Sequence, residues 1–310
     1  MRFTETPDWL KKCVFETVQF EKSPEDRHLS VVQPSPQLPI NPPLLTRPVP
    51  IQPQLRATLP VLAEPHATAD ALVASGASSR VALVIGNARY TAVSQLPNTT
   101  ADATAIAASL AADGFEIVQI LIDGSKSELS SALRTFREKA DKADWAVVYY
   151  AGHGIEIGGV NYLVPVDAHL NSDRDADDEA ISLDKVIVEI SGARKMRIVI
   201  LDACRENPFV PLMKRTVAGR GVQRGLGRIE PEGGTIVVYA AKAGETAADG
   251  SGDHSPFTGA LLGRLSQPGL EIDKMWRLVV ADVLQATANK QRPYVYGSIA
   301  GGEDFYFKSK

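Results

Sequence analysis

Short, wholly apolar runs recur along the chain after residue 80, and segments of helical character separate them. Strands that are apolar on both faces are typical of a parallel sheet buried between two layers of helices. Such strands are joined by right-handed helical crossovers. We therefore predict an α/β fold, a three-layer sandwich whose mostly parallel central sheet is flanked by helices. The predicted strands are Val81–Ile85, Phe115–Ile122, Trp145–Tyr150, Tyr162–Val166, Arg197–Leu201 and Thr235–Ala240, and the predicted helices are Thr100–Ala112, Lys126–Ala140, Ile181–Ile190, Pro256–Leu265 and Ile272–Ala288.

The N-terminal quarter of the chain has a different character. Ten prolines lie between Pro34 and Pro65, and proline both fixes φ and removes a hydrogen-bond donor, so this stretch is neither a helix nor a central strand. A short helix is predicted before it, around Trp9–Phe20. We therefore divide the chain into residues 1–79, a Pro-rich arm or propeptide-like segment, and residues 80–310, the folded domain. The arm is predicted either as a tether or as a segment that packs over the domain.

Composition excludes several classes of function. The 310 residues carry a formal net charge of −4, which gives no reason to expect nucleic-acid or membrane partners. No apolar run approaches the roughly 18–20 residues that span a bilayer, and the N-terminus has no apolar signal core. The two cysteines, Cys13 and Cys204, are too few for a disulfide framework. We expect a cytoplasmic, reducing setting.

Two strand ends carry the residues of greatest chemical interest. His153 follows the third predicted strand and Cys204 follows the fourth. Because sites in such sheets form at the carboxyl ends of the strands, the two side chains are expected at one sheet edge. A thiol becomes a nucleophile when a nearby base takes its proton, and histidine is the usual base. Gly152 and Gly154 predict a sharp turn around His153, and the amides of Gly154 and Cys204 are candidates for an oxyanion hole.

Other interpretations of these residues must be weighed. A buried cysteine is often only a small hydrophobic residue, and a lone histidine is often structural. His169 and His254 are alternative bases, although both lie in polar loop sequence. No third catalytic side chain is evident, so a backbone carbonyl could orient the imidazole instead. The glycine patterns of dinucleotide and phosphate loops, paired zinc ligands and the serine-hydrolase elbow are absent from the sequence.

Several motifs, in order, resemble those of the caspase-like cysteine peptidases, a group that includes caspases, metacaspases and paracaspases. The resemblance covers roughly residues 79–308 and is strongest to the bacterial members and the paracaspases. It implies a caspase-like fold, with His153 as general base and Cys204 as the nucleophile that forms a thioester acyl-enzyme. The motifs are Arg80–Tyr90, Asp102, Gly114-Phe115, Tyr149–Gly154, Asn161–Asp167, Leu201–Arg205 and Tyr239–Gly250.

The same resemblance bears on specificity. Paracaspases and metacaspases cleave after Arg or Lys by means of acidic residues in the first pocket, and Asp102, Asp202 and Asp249 match the paracaspase positions. A carboxylate cluster in a partly desolvated pocket favours a cationic side chain and rejects an acidic one. The alternative is that Asp102 lies on a helix surface and Asp249 in a turn. Asp202, two residues before the nucleophile, is harder to explain in that way.

Two loops raise further hypotheses. The segment Pro211–Gly234 is rich in glycine and basic residues, and in this family the equivalent segment can be processed. Self-cleavage is predicted there or near the arm, at Lys214, Arg215, Arg220, Arg224 or Arg228, or at Arg47, Arg56 or Arg80.

The acidic segment Asn171–Glu179 raises calcium as a cofactor, but its spacing is not that of an EF-hand and a solvated loop is favoured. We expect no metal site and no cofactor.

The sequence thus predicts a cysteine endopeptidase that acts on proteins or peptides with Arg or Lys at the cleavage position. An alternative of a different class is a caspase-like interaction or regulatory module whose peptidase activity is weak or latent. A peptide ligase that uses the same thioester is a third hypothesis. The sequence is compatible with a homodimer and with a regulatory partner, and it does not distinguish between them.

Overall fold

The computed structural model describes residues 78–309 apart from 205–207, 210, 215, 217–221, 224–225, 227–232, 243–246, 249, 251 and 300–301. At Cys204, Val222 and Gln223 the description covers the backbone alone. Residues 1–77 of the predicted arm, with the helix expected at Trp9–Phe20, therefore lie outside the described residues, as does Asp249.

In the described part of the chain, fifteen helices and strands follow one another. The strands are β1 (Arg80–Gly86), β2 (Glu116–Ile122), β3 (Trp145–Ile157), β4 (Val160–Leu163), β5 (Ile181–Ser182), β6 (Met196–Cys204), β7 (Val222–Gln223), β8 (Thr235–Tyr239) and β9 (Tyr294–Gly297). The helices are α1 (Thr99–Ala112), α2 (Lys126–Ala140), α3 (Asp175–Glu179), α4 (Leu183–Ile190), α5 (Pro256–Leu265) and α6 (Ile272–Ala286). No described helix is both long enough and apolar enough to cross a lipid bilayer.

The main sheet has the strand order β2-β1-β3-β6-β8-β9. Its first five strands are parallel, and β9 pairs antiparallel with β8 at one edge. The reversal of strand order places β3 and β6 at the centre of the sheet. The predicted α/β sandwich with a mostly parallel sheet is confirmed.

Helices cover both faces of this sheet. Because successive side chains of a strand point to opposite faces, each central strand contributes alternate residues to two cores. On one face Val147 and Tyr149 pack in a core with residues of α1, α5 and α6. On the other face Val148 and Tyr150 pack with residues of α2 and α4. Every residue of β3 is buried, which explains the uninterrupted apolar run in the sequence.

Local signals in the sequence define the ends of several helices. Ser125 caps α2 in a reciprocal capping box with Glu128, and the helix has the predicted bounds. Ser255 caps α5, and Pro256 occupies the first helical turn, where its missing N–H costs nothing. Both helices have the predicted bounds.

The largest difference from prediction concerns β3, which continues through His153 to Ile157 instead of ending at Tyr150. Beyond the main sheet it pairs antiparallel with β4 and β7. The sharp glycine turn expected around His153 is therefore wrong: Gly152 and Gly154 lie inside an extended strand, and neither has a positive φ. The predicted helix over Ile181–Ile190 begins with the short strand β5, and β9 was not predicted.

Arg80 connects the start of the domain to its C-terminal segment. Its guanidinium donates to the carbonyls of Asp113 and Phe307, each at 2.7 Å, and lies over the Phe115 ring. Phe307 also contacts the ring of Trp145. Arg80 thus lies in a central parallel strand, so cleavage after this residue would have to break β1 out of the sheet.

Candidate functional site

The site is built on the backbone register of the two central strands. In the parallel β3–β6 ladder, Gly152 pairs with Ala203 and His153 pairs with Cys204, which are the last paired positions. Neighbouring strands lie about 4.8 Å apart. The backbones of the two residues are therefore adjacent at the carboxyl edge of the main sheet, where the sequence analysis expected them. The Cys204 thiol lies outside the described atoms.

The His153 imidazole is held by a backbone carbonyl. Its Nε2 lies 2.9 Å from the carbonyl oxygen of Ser94, and the residue is only 2% exposed. Since a carbonyl oxygen only accepts hydrogen bonds, Nε2 must carry a proton in this contact. In the neutral ring Nδ1 then has the lone pair, so Nδ1 is the atom that can act as a base.

Two tyrosines fix the backbone of His153. The Tyr90 hydroxyl accepts the His153 N–H at 2.8 Å, and the Tyr150 hydroxyl donates to the His153 carbonyl at 2.7 Å. The Tyr90 ring also lies against the imidazole, with ring centroids 4.4 Å apart. Neither tyrosine was among the predicted site residues. Their only signal was their place inside the matching motifs Arg80–Tyr90 and Tyr149–Gly154.

The close approach of these two hydroxyl groups explains why residue 152 is a glycine. A Cβ at this position would lie 2.6 Å from the hydroxyl oxygens of both Tyr90 and Tyr150. At Gly154 a Cβ would lie 3.0 Å from the Leu226 side chain and 3.1 Å from Ala203 Cβ. The two glycines therefore serve close packing around His153 and not a turn of the backbone.

The loop that carries Tyr90 and Ser94 is anchored to the end of β2 by Asp123. The Asp123 carboxylate accepts the N–H groups of Ala88 and Arg89, both at 2.8 Å, and the Arg89 guanidinium at 2.6 Å. Partial burial opposes ionisation of Asp123, but these hydrogen bonds and the charge of Arg89 outweigh it, so the pKa of the carboxyl lies below its ordinary value. Asp123 itself adopts the left-handed conformation, with φ of 52°.

Two of the three predicted pocket acids come together. Asp102 in the first turn of α1 is 2% exposed and Asp202 in β6 is 7% exposed. Ser255 joins them: its N–H lies 3.4 Å from both oxygens of Asp102, and its hydroxyl donates to Asp202 at 2.5 Å. The alternative of a surface position for Asp102 is therefore wrong. Its helix turn faces the sheet, which a 14-residue segment rich in alanine did not reveal.

Asp202 receives further donors from the same region. Thr258 donates its hydroxyl at 2.7 Å, and the Tyr149 hydroxyl lies 3.4 Å away. Complete burial, followed by the nearby charges of Asp202 and Asp102, raises the pKa of Tyr149 well above its ordinary value. Tyr149 therefore stays a neutral phenol beside two carboxylates.

The third predicted acid, Asp249, lies outside the described residues. Its neighbour Gly250 is described and has a φ of 77°, and a Cβ there would lie 3.0 Å from the His254 carbonyl oxygen. Gly250 thus lies close to the N-terminus of α5.

The two alternative bases take different positions. His169 is exposed, whereas His254 places its Nδ1 2.8 Å from Asp102 Oδ1. The β3–β6 register pairs Cys204 with His153. Of the described histidines, His254 is thus a partner of the acidic pair, a role that sequence reasoning missed because 152 residues separate it from Asp102.

The acidic segment Asn171–Glu179 uses its carboxylates within the protein. Buried Asp173 accepts the N–H and the hydroxyl of Thr216, and Asp175 accepts the N–H groups of Asn171 and Ser172. These contacts tie the segment to itself and to the loop after β6. Within the described ranges, no group of three or more His, Cys, Asp or Glu is arranged to hold a metal ion.

Comparisons with known proteins agree with this architecture. The family model described as the caspase domain, a peptidase family, matches residues 79–301. The chain is also 36% identical over 92 residues to human mucosa-associated lymphoid tissue lymphoma translocation protein 1 and, to the same degree, to its homologue in mouse. That match covers 30% of this chain and 11% of each relative.

Proposed function

The chain belongs to the caspase-domain family of cysteine peptidases, and from this premise we propose that it is an endopeptidase that cleaves after Arg or Lys, with Cys204 as nucleophile and His153 as base. The observation that carries the proposal is the register pairing of His153 with Cys204 at the end of two central strands. Proteins and peptides are the substrates that the family implies.

In the proposed mechanism the Cys204 thiol gives its proton to His153 Nδ1. The thiolate sulfur attacks the scissile carbonyl carbon, and the imidazolium then returns the proton to the leaving amine, so that a thioester remains. Water, deprotonated by the same imidazole, hydrolyses the thioester and regenerates the thiol. The Ser94 carbonyl supports both proton transfers, since it accepts a hydrogen bond from Nε2–H while the ring gains and loses charge at Nδ1. The amides of Gly154 and Cys204 are proposed as the oxyanion donors.

The proposed basic specificity rests on Asp102, Asp202 and Asp249. Burial of the first two, and their joint contact with Ser255, supports a shared anionic pocket on one side of the sheet edge. An ionised carboxylate in such a place gains most from a partner cation and would repel an acidic substrate side chain.

A panel of fluorogenic peptides that differ only at the cleavage position (Arg, Lys, citrulline or Asp) tests the proposal. We expect cleavage after Arg and Lys, little after citrulline, and none after Asp. Cys204→Ala and His153→Ala should abolish turnover, while His169→Ala, a change at an exposed histidine, should leave it unchanged. Cleavage after Asp would contradict the pocket. No cleavage of any peptide would favour the interaction module.

Self-processing in the loop after β6 is a second part of the proposal. Lys214 is exposed and forms an isolated bridge with Ser172, and its neighbour Thr216 binds the buried Asp173. Arg215, Arg220, Arg224 and Arg228 lie outside the described residues, as do Arg47 and Arg56. Arg80 is not retained as a cleavage site, because it lies in β1. Intact mass spectrometry should find clipped fragments in the wild type and none in Cys204→Ala. A wild type found only as the uncleaved chain would refute self-processing.

We further propose that catalysis requires no metal. The family resemblance leaves calcium open, but Asp173 and Asp175 already serve as acceptors for backbone and hydroxyl donors. Turnover of the Arg peptide should persist after treatment with EDTA. A loss of activity that calcium restores would contradict this proposal.

A further inference from the structure

His254 contacts the acidic pair through its Nδ1, which lies 2.8 Å from Asp102 Oδ1. Its side chain is 32% exposed, whereas the Asp102 side chain that it contacts at 2.8 Å is 2% exposed. The imidazole therefore lies between solvent and a buried carboxylate. A substrate side chain that bonds Asp102 would therefore share this carboxylate with the His254 ring.

Ionisable groups from the neighbouring elements set the electrostatic surroundings of the His254 imidazole. α1 contributes Asp102, and β6 contributes Asp202, which is linked through Ser255. β3 contributes Tyr149, a neutral phenol, and the loop of His254 itself carries Asp253. Asp102, Asp202 and Asp253 are acidic, and protonation of His254 offsets part of their charge.

We propose that His254 is a specificity-determining residue that competes with the substrate cation for Asp102. This inference rests on the proposed cleavage after Arg or Lys and deepens it. When His254 is protonated it neutralises Asp102, and an arginine or lysine side chain gains less from the pocket. When His254 is neutral it still donates from Nδ1, but the carboxylate keeps its net charge and attracts the substrate cation.

The competition has a definite sign. Protonation of His254 neutralises the Asp102 carboxylate that it contacts, so the preference for a cationic substrate should fall as pH falls. By linkage, binding of a cation to the pocket must in turn disfavour protonation of His254 by the same factor. The proposed competition for Asp102 involves only a proton and the substrate, and it needs no further effector.

The ratio of kcat/KM for an Arg peptide to that for the matching citrulline peptide measures this effect. Both substrates use His153 and Cys204, so the titration of the catalytic pair cancels in the ratio. In the wild type we expect the ratio to fall about tenfold between about pH 8 and 5.5, within the usual range of coupling between sites. In His254→Gln, which keeps a donor but cannot be protonated, the ratio should be nearly independent of pH. His169→Gln is the matched control and should behave as the wild type does.

A binding experiment separates the failure of this inference from failure of the proposed function. In Cys204→Ala protein, the NMR titration of the His254 ring is followed with and without ethylguanidine, which stands for the arginine side chain. We expect ethylguanidine to shift the titration to lower pH, and Asp102→Asn to remove that shift. An unchanged titration in an enzyme that cleaves after Arg would overturn the inference and leave the function standing. Absence of cleavage together with the expected shift would overturn the peptidase and leave the competition standing.

Discussion

Tyr90 holds His153 by two contacts at once: its ring lies 4.4 Å from the imidazole centroid, and its hydroxyl accepts the His153 backbone N–H at 2.8 Å. The same loop brings the Ser94 carbonyl to Nε2 at 2.9 Å. The orientation of the proposed base is thus set by a loop that follows β1, and not by the strand that carries the histidine. Because the loop itself is anchored by Asp123, residues outside the His153–Cys204 pair should affect catalysis.

Tyr90→Phe should lower kcat and leave KM nearly unchanged. The variant keeps the ring against the imidazole but removes the acceptor for the His153 N–H. A hydrogen bond of this kind contributes about 0.5–1.5 kcal/mol, so kcat should fall roughly three- to tenfold if that energy is lost in the transition state. Kinetics on the Arg peptide measure it. Tyr306→Phe, which removes a surface hydrogen bond to Asp304, is the control, and equal activity of the two variants would contradict the role of Tyr90.

Gly152→Ala should destabilise the protein and inactivate it. The added methyl group would lie 2.6 Å from two buried hydroxyl oxygens that position His153, and overpacking of this kind costs about 1–3 kcal/mol. Thermal unfolding and turnover of the Arg peptide are the measurements. Gly259→Ala is the matched control, because a Cβ there meets no atom within 4 Å and the residue lies in α5. A fully stable and active Gly152→Ala would mean that the tyrosines do not require this close approach.

Asp123→Asn should weaken both stability and catalysis. The folded-state pKa of Asp123 is lowered, so its contribution to stability is present above the unfolded-state pKa of about 3.9 and is lost as pH falls through the lower folded value. At neutral pH the variant should lose about 1–2 kcal/mol, the scale of hydrogen bonds to a charged group. Urea unfolding of both proteins across the acidic range tests this. The difference between them should shrink as pH falls below the unfolded-state pKa of about 3.9, and a difference that grows there would contradict the assignment.

Thr258→Val should reduce discrimination between the Arg and citrulline peptides. Valine matches threonine in shape but cannot donate to Asp202 at 2.7 Å or contact the Tyr149 hydroxyl at 2.6 Å. Loss of a donor leaves the carboxylate less firmly positioned, so KM for the Arg peptide should rise severalfold, about the effect of one hydrogen bond. Thr104→Val is the control, since Thr104 bonds its own helix at the surface. An unchanged ratio of kcat/KM for the Arg and citrulline peptides would mean that Thr258 does not contribute to the specificity pocket.

Much of the fold followed from local patterns. Continuous apolar runs identified the five parallel strands β1, β2, β3, β6 and β8, and α2 and α5 were predicted at their observed bounds. The short β9 was missed, since the four residues Tyr294–Gly297 are too few to be separated from a loop by pattern alone. The run of β3 past His153 was missed for a related reason, because glycine suggests a turn unless the packing around it is known.

The sequence by itself determined the chemistry that is available: a histidine and a cysteine at the ends of apolar runs, and acidic residues that match pocket positions of the family it resembles. Only the tertiary structure decided which groups meet. The β3–β6 register pairs His153 with Cys204, Ser94 and Tyr90 arrive from another loop, and His254 reaches Asp102 across 152 residues. The physical reason is that strand and helix signals are local, whereas register, loop placement and the pairing of buried charges depend on how distant segments pack.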